Sequence, residues 1–488
     1  MKDTIRTLLN EWQKRKLPSA IDRSIDLSEY IRMEPNKIIV VTGFRRVGKT
    51  YSMLLLLNRL LQKRSREEVV YVNFEDERIP LQTEFLTLLL PTMKELFKNE
   101  VKFLFLDEIQ NIPNWSKWVR RVYDSENIRI FVSGSSSKMS SKEIPTELRG
   151  RFLEINISPL SFQEFLHFKN LSFDYEAVDY VADERAGLLK ALDEYLKYGA
   201  LPEIVLADEE RKFEIAQSYY QTVIRRDIIE RYNIKNEEAL KALLRLLLNS
   251  TSYSISKSYN TLKSLHYKVG KGTVQDYLSY IENSYFMANL PIFSHNIKDQ
   301  MQYPRKVYIV DNVFINAIST KFSNNYGRLY ENAVAANLIR KRATNPLLEL
   351  YYWRNPRHEE VDFVVKSGTK VDQLIQACYD VSDPTTKKRE LRILSKASKE
   401  LKCDELLVVT RDYDAAEQFK KKQMRFVPLW KWLHDWDRAA VRDSGVRWYR
   451  ARAQRSVEAT RPSITGVRVQ CLPCGGPNKR PVTGFPCF

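Results

Sequence analysis

Cysteine is scarce in this chain: five among 488 residues, three of them within the last eighteen. The other two, Cys378 and Cys403, cannot build a disulfide framework, which agrees with a reducing compartment. Cys471-Leu472-Pro473-Cys474 has the spacing of half a zinc knuckle, but no second C-x-x-C or H-x-x-H accompanies it, so we read it as incidental. Long apolar runs are missing too. No stretch of eighteen or more apolar residues occurs, and Met1 to Arg15 is charged throughout. Neither a spanning helix nor a signal peptide is therefore expected, and the expectation is a cytoplasmic protein with no membrane partner.

A formal charge of +17 with 28% charged residues suits an anionic partner such as nucleic acid, and equally a lysine-rich soluble protein. At 488 residues the chain has room for roughly two to four domains, each with its own core.

Residues 43 to 50 read Gly43-Phe44-Arg45-Arg46-Val47-Gly48-Lys49-Thr50, a full G-x-x-x-x-G-K-T. An apolar β-type run, Ile38 to Val41, precedes it and an apolar helical stretch, Ser52 to Leu61, follows. That context separates a phosphate-binding P-loop from two glycines that merely turn a strand into a helix. Strand, glycine turn and helix start together aim backbone N–H groups and the positive end of the helix dipole at one point, where a triphosphate fits. About sixty residues on, Val101 to Leu106 forms a mostly apolar strand run ending in Asp107-Glu108, as a Walker B segment does. The expected nucleotide contacts are Gly43, Phe44, Arg45, Arg46, Val47, Gly48, Lys49, Thr50 and Tyr51. Thr50 and Asp107 would hold Mg²⁺ with ATP, and Glu108 would polarise the attacking water.

Strand-like and helical runs alternate from Lys37 to Ile157, the pattern of an α/β fold with a parallel sheet covered by helices. The nucleotide site then falls at the carboxyl ends of the strands. Residues 1–160 are read as this core with a charged helical lead-in, and residues 161–235 as a helical lid. In residues 236–325 a helix over Ser256 to Leu265, a turn at Gly270 and Gly272, a helix over Thr273 to Tyr285 and an extended Phe286 to Phe293 follow in the order of a winged helix. A helical turn of any lid would look alike. Residues 326–433 combine a helix from Leu329 to Lys341 with four strand runs, a small α/β domain without a P-loop of its own. After His434 nine arginines stand against one lysine among clustered Pro, Gly and Cys, so residues 434–488 are expected to be a poorly ordered basic tail.

The P-loop, Leu106-Asp107-Glu108-Ile109-Gln110, Val132-Ser133-Gly134-Ser135-Ser136-Ser137 and Leu148-Arg149-Gly150-Arg151-Phe152 together resemble the AAA+ ATPases of the archaeal-type clade. Such proteins join a P-loop NTPase core to a winged helix and a C-terminal restriction-endonuclease-like domain, and the resemblance covers about residues 15 to 432. It implies that Ser135 touches the γ-phosphate or the water, that Arg149 or Arg151 acts as an arginine finger, and that Arg45 and Arg46 serve either nucleotide or core carboxylates. The helical segment around Arg225-Arg226-Asp227 would contact the core, the nucleotide or another subunit. A finger acting in trans would require a homo-oligomer.

A working PD-(D/E)xK nuclease needs a helical Glu, a strand Asp and a following (Glu/Gln)-x-Lys. Glu331 and Asp362 fit the first two, but the third reads Gln376-Ala377-Cys378, without the lysine. A degenerate module is therefore expected, unless Lys388 or Arg389 fills the gap. The functions this leaves are an ATP-hydrolysing switch or motor, an ATP-responsive DNA-binding regulator using Lys257, Lys263, Lys268 and Lys271 on phosphates with Thr273 and Gln275 near base edges, and an ATP-regulated nuclease.

Overall fold

The apolar runs of the first third fold into β1 (Ile38–Thr42), β2 (Val69–Asn73), β3 (Phe103–Asp107), β4 (Arg129–Ser133) and β5 (Phe152–Asn156) in the computed structural model, which describes residues 1–134, 146–319 and 326–441. All four pairings are parallel, in the order β2-β3-β4-β1-β5. Strands β1 and β3 are buried at every position, as continuous apolar runs in a sheet covered on both faces must be. Parallel pairing brings the carboxyl ends to one edge. Val41 lies opposite Ser133, and Leu106 opposite Val132, so the register sets Asp107, Ser133 and the residues after Thr42 side by side. The lead-in helix Lys2–Lys14 buries Ile5, Leu9 and Trp12 at helical spacing, and the Trp12 indole donates to the Arg66 and Val69 carbonyls.

Between residues 162 and 248 every described element is helical. Lys212–Thr222 is α-helical and Val223–Glu230 is wound as a π-helix, a form found frequently at functional sites. Next come β6 (Ser252–Tyr253), helices Ile255–Ser264 and Lys271–Asn283, β7 (Met287–Leu290) and β8 (Arg305–Ile309), with the strands antiparallel in the order β6-β8-β7.

The last unit is a mixed six-stranded sheet of β9 (Leu348–Arg354), β10 (Glu360–Ser367), β11 (Lys370–Ala377), β12 (Leu406–Thr410), β13 (Ala415–Phe419) and β14 (Lys422–Pro428), ordered β13-β14-β12-β11-β10-β9. Helices Tyr326–Thr344 and Pro384–Leu401 pack on it. The helix Leu429–Val441 runs past residue 434, where the tail was expected to begin; the remainder of that tail lies outside the described residues. No helix among the described residues is long and apolar enough to cross a membrane.

One tight contact fixes the chain just past helix Ala182–Tyr198 against the segment after β8. Asp311 caps the helix Asn312–Ile318 through the Val313 amide at 2.9 Å, and its other oxygen accepts from the Ala200 amide at 2.7 Å. Burial pushes this carboxyl up to about 7. Gly199, with φ 75° and ψ −159°, sits in a region open essentially to glycine alone, and a Cβ there would lie 1.6 Å from an Asp311 oxygen. Gly199→Ala should therefore lower stability by about 2–4 kcal/mol, read from denaturant unfolding of the full chain.

Candidate functional site

The loop after β1 is shaped by two glycines. At Gly43, φ is +139° and a Cβ would stand 2.2 Å from the Ile157 carbonyl oxygen, so only glycine lets the chain turn there. Gly48, at φ 98°, is the N-cap of helix Lys49–Leu61 and offers no side chain to its first amides, leaving them for an anion. Lys49 is buried and curls back so that Nζ donates to the Gly43 and Phe44 carbonyls at 3.2 and 3.1 Å. Burial lowers its pKa against the opposing charge of Glu108.

Facing the loop, Asp107 ends β3 and is surrounded by hydroxyls. Its Oδ2 accepts from Thr50 Oγ1 at 2.9 Å and from the Tyr71 hydroxyl at 2.7 Å, and its Oδ1 accepts from Ser133 Oγ. Burial raises the Asp107 pKa, the hydroxyls oppose it, and the neighbouring Glu108 charge adds to the rise. Glu108 has a left-handed backbone, φ 54°, its amide donates to Ser133 Oγ at 3.3 Å, and its carboxylate accepts from Gln110. Glu75 is also raised, by burial and then by the Glu108 charge.

Three further segments brace the loop. Arg45 does not turn to a core carboxylate: Nε and Nη2 each donate at 2.9 Å to Asp227 of the π-helix, so this helix meets the loop through its aspartate. Arg46 lies over the Tyr219 ring, 5.6 Å from its centroid, and 3.8 Å from Glu203. Phe44 is buried against Phe286 and Phe314, at 6.3 and 5.6 Å between centroids, so its side chain serves packing. Val47 is buried and its carbonyl accepts from Arg23 at 2.9 Å, whereas Tyr51 is exposed.

Arg23 was not foreseen. Its guanidinium also reaches the Ser158 carbonyl at 2.9 Å and Glu164 at 2.8 and 3.2 Å, with both side chains 7% exposed. Glu164 closes a capping box with Ser161 and also accepts from Ser24. Burial alone would raise the Glu164 carboxyl, but the Arg23 guanidinium overrides it and holds the pKa at about 2.

Ser135, expected near the γ-phosphate, lies outside the described residues, and the serine that meets Asp107 is Ser133, the last residue of β4. Arg149 and Arg151 are at the wrong end of the sheet. The Ile38 amide bonds the Arg151 carbonyl, which sets both arginines beside the amino end of β1, roughly 15 Å of strand from the loop. Arg149 is exposed, and Arg151 pairs with Asp124 at 3.0 Å. In the last unit Glu331, Asp362 and Gln376 do converge. The cation among them is Lys306 of β8; Arg389 instead pairs with Glu390.

The Arg23–Glu164 brace has a pH signature. A carboxyl held at about 2 stabilises the fold fully above its ordinary pKa and loses that contribution as pH falls through about 2. Glu164→Gln should cost about 3 kcal/mol near neutrality, and its deficit against the wild type should close as unfolding is followed from pH 4.5 to 2.

Residues 35–166 match the family described as "AAA domain", while 189–325 and 326–432 match two domains of unknown function, DUF8612 and DUF4143. The uncharacterized protein MJ1544 of Methanocaldococcus jannaschii is 38% identical over 439 residues, which span 87% of this chain and 93% of that protein. An uncharacterized protein of Haemophilus influenzae is 28% identical over 372 residues, 75% of this chain and 88% of its own. Among solved structures, the Walker-type ATPase PABY2304 of Pyrococcus abyssi aligns with 64% of this chain and 99% of its own, at TM-score 0.42 and 15% identity. With that identity and coverage, the chain belongs to the same family as the M. jannaschii protein, and its residues 35–166 form an AAA domain of the P-loop ATPase class.

Proposed function

We propose that this protein is a Mg²⁺-dependent, ATP-hydrolysing AAA+ switch or motor whose core moves a lid, a winged helix and a C-terminal nuclease-like module. The observation that carries the reading is the cluster of Thr50, Asp107 and Ser133 at the mouth of the Gly43–Thr50 loop. Its donors are all oxygens, and Asp107, Glu108 and Glu75 crowd negative charge there; burial first, and then the Glu108 charge, raises the carboxyls of Asp107 and Glu75. This suits a hard divalent cation held by Thr50 and Asp107. Mg²⁺ bound there would neutralise phosphate charge during transfer.

Lys49 exchanges its two carbonyl contacts for phosphate oxygens, and the free amides of the helix start add their dipoles. Glu108 orients the water, with Gln110 fixing its carboxylate and Ser133 its amide. Arg226, exposed on the π-helix and near enough to Glu75 to act on its charge, is a candidate to reach the nucleotide alongside Arg45 and Arg46 of the loop. A contact from Arg149 or Arg151 requires a second copy of the chain. Lys49→Ala should abolish ATP hydrolysis, and Glu108→Gln should still bind ATP in a calorimetric titration while turnover falls by about 100-fold or more. Wild-type protein that takes up no nucleotide in that titration would end this reading.

The helix pair Ile255–Ser264 and Lys271–Asn283, followed by β7 and β8, supports a winged helix, and one observation favours a DNA-binding role for it. Lys257, Lys263 and Lys268 are exposed with no ion pair among the described residues, and exposed Lys271 is 5.7 Å from the Tyr259 ring. Thr273 and Gln275 begin the second helix. Neutralising the four lysines should weaken duplex binding on all sequences and flatten the salt dependence by about 0.9 for each phosphate they had neutralised. An unchanged salt slope removes DNA from the set of partners.

A further inference from the structure

We propose that the acidic cluster of the C-terminal domain is a cation site filled from within the chain: Lys306 of β8 stands where a nuclease would hold its metal, making this domain a clamped, non-cleaving module. The inference is independent of ATP hydrolysis. Glu331 comes from helix Tyr326–Thr344, and Glu360 and Asp362 lie two residues apart on β10, hence on one face of the strand. One oxygen of each reaches a common point, and Lys306 Nζ is at that point, 2.7 Å from Glu331, 2.8 Å from Glu360 and 2.7 Å from Asp362.

The Lys306 ammonium donates hydrogen bonds to Glu331 and Asp362, and Glu360 adds an ion-pair contact, so three carboxylates enclose it. The carboxylates are held from other sides as well. Tyr308, on the same strand as Lys306, donates to Glu331 at 2.8 Å, and the Ala377 amide donates to the second oxygen of Asp362 at 2.9 Å. Gln376 turns to the backbone, its carbonyl accepting from the Asp362 amide at 3.3 Å.

A divalent metal does not fit this arrangement. Mg²⁺ would need these oxygens at about 2.0–2.1 Å around the position Nζ occupies, and the two cations exclude each other. The lysine that would assist the scissile phosphate is also missing. Cys378 replaces it and turns its thiol to the Asp380 carbonyl. Lys306 and Asp362 are buried, so charge balance is costly. One ammonium cannot neutralise three carboxylates. Burial pushes the Asp362 carboxyl up, with Lys306 pulling it down and the Glu331 charge pushing it further up. The clamp therefore spans two sheets, β8 on one side and β10 with its helix on the other, and the nuclease geometry persists as an ion-pair joint.

Thermal unfolding of the full chain without nucleotide, with and without millimolar MnCl₂, tests this. Wild type should show no Mn²⁺ shift that depends on Asp362, and no Mn²⁺-dependent nicking of plasmid DNA. Lys306→Ala should melt roughly 5–10 °C lower, because three carboxylates lose their cation. Mn²⁺ should recover part of that loss, and adding Asp362→Asn should abolish the recovery. If Lys306→Ala is insoluble, Lys306→Met combined with Glu331→Gln and Asp362→Asn, which removes charge and countercharge together, should restore soluble protein. A wild-type Mn²⁺ shift or nicking that disappears in Asp362→Asn overturns the proposal. So does Lys306→Ala melting with the wild type, or a triple variant as insoluble as the single one.

Discussion

The loop of residues 43 to 50 has to present its amides outward and cannot hold its own shape, so everything around it is built to hold it. A glycine-rich turn has many conformations to lose, and leaving amides unpaired for a ligand removes the bonds that would otherwise select one. The fixing forces come from elsewhere in the chain: Arg23 on the Val47 carbonyl, Asp227 on Arg45, and two phenylalanines on Phe44. Both arginines are themselves held in ion pairs of low exposure, Arg23 by Glu164 and Arg45 by Asp227, where electrostatic attraction is least screened. Such bracing moves the entropic cost of ordering the loop from ligand binding to folding.

The braces come from segments that also hold other parts of the molecule. Residues 305–318 show this most plainly. Lys306 reaches the acidic cluster of the C-terminal sheet, Asp311 bonds the Ala200 amide just past helix Ala182–Tyr198, and Phe314 packs on Phe44. Strand β8 and the helix after it are short, so the three contacts are close together along the chain. The π-helical turn braces the loop from another side. It presents Asp227 to the loop while Ile224 and Ile228 remain in the core.

How much of this the sequence disclosed depends on how local the signal is. The five parallel strands could be read because each is a short apolar run between polar segments, and the loop could be read because its glycines have no other use. Strands β13 and β14 could not. Their two-residue connection is Lys420-Lys421, both with positive φ, where a hairpin ordinarily advertises itself with Asn-Gly or Asp-Gly. Strand β13 is also only partly buried, so apolar alternation is weak. Ser133 was passed over for Ser135 because a serine-rich run gives no sign of where a strand stops; pairing with β3 decides it. Arg23 and Lys306 were invisible for a third reason, since their partners lie 141 and up to 56 residues away and no local pattern announces a distant ion pair.

The distance between Lys306 and its carboxylates also bears on why so costly an arrangement persists. A buried ion cluster is seldom the most stable filling for its volume, and well-packed apolar side chains often do as well or better. What apolar packing does not supply is direction. Three carboxylates on two elements admit one ammonium in one position, whereas leucines in the same space would tolerate a range of angles between β8 and the C-terminal sheet. An ammonium enclosed by three carboxylates fixes that angle where a greasy contact would not. The oxygens of Glu331, Glu360 and Asp362 that hold Lys306 are thereby not free to hold a metal.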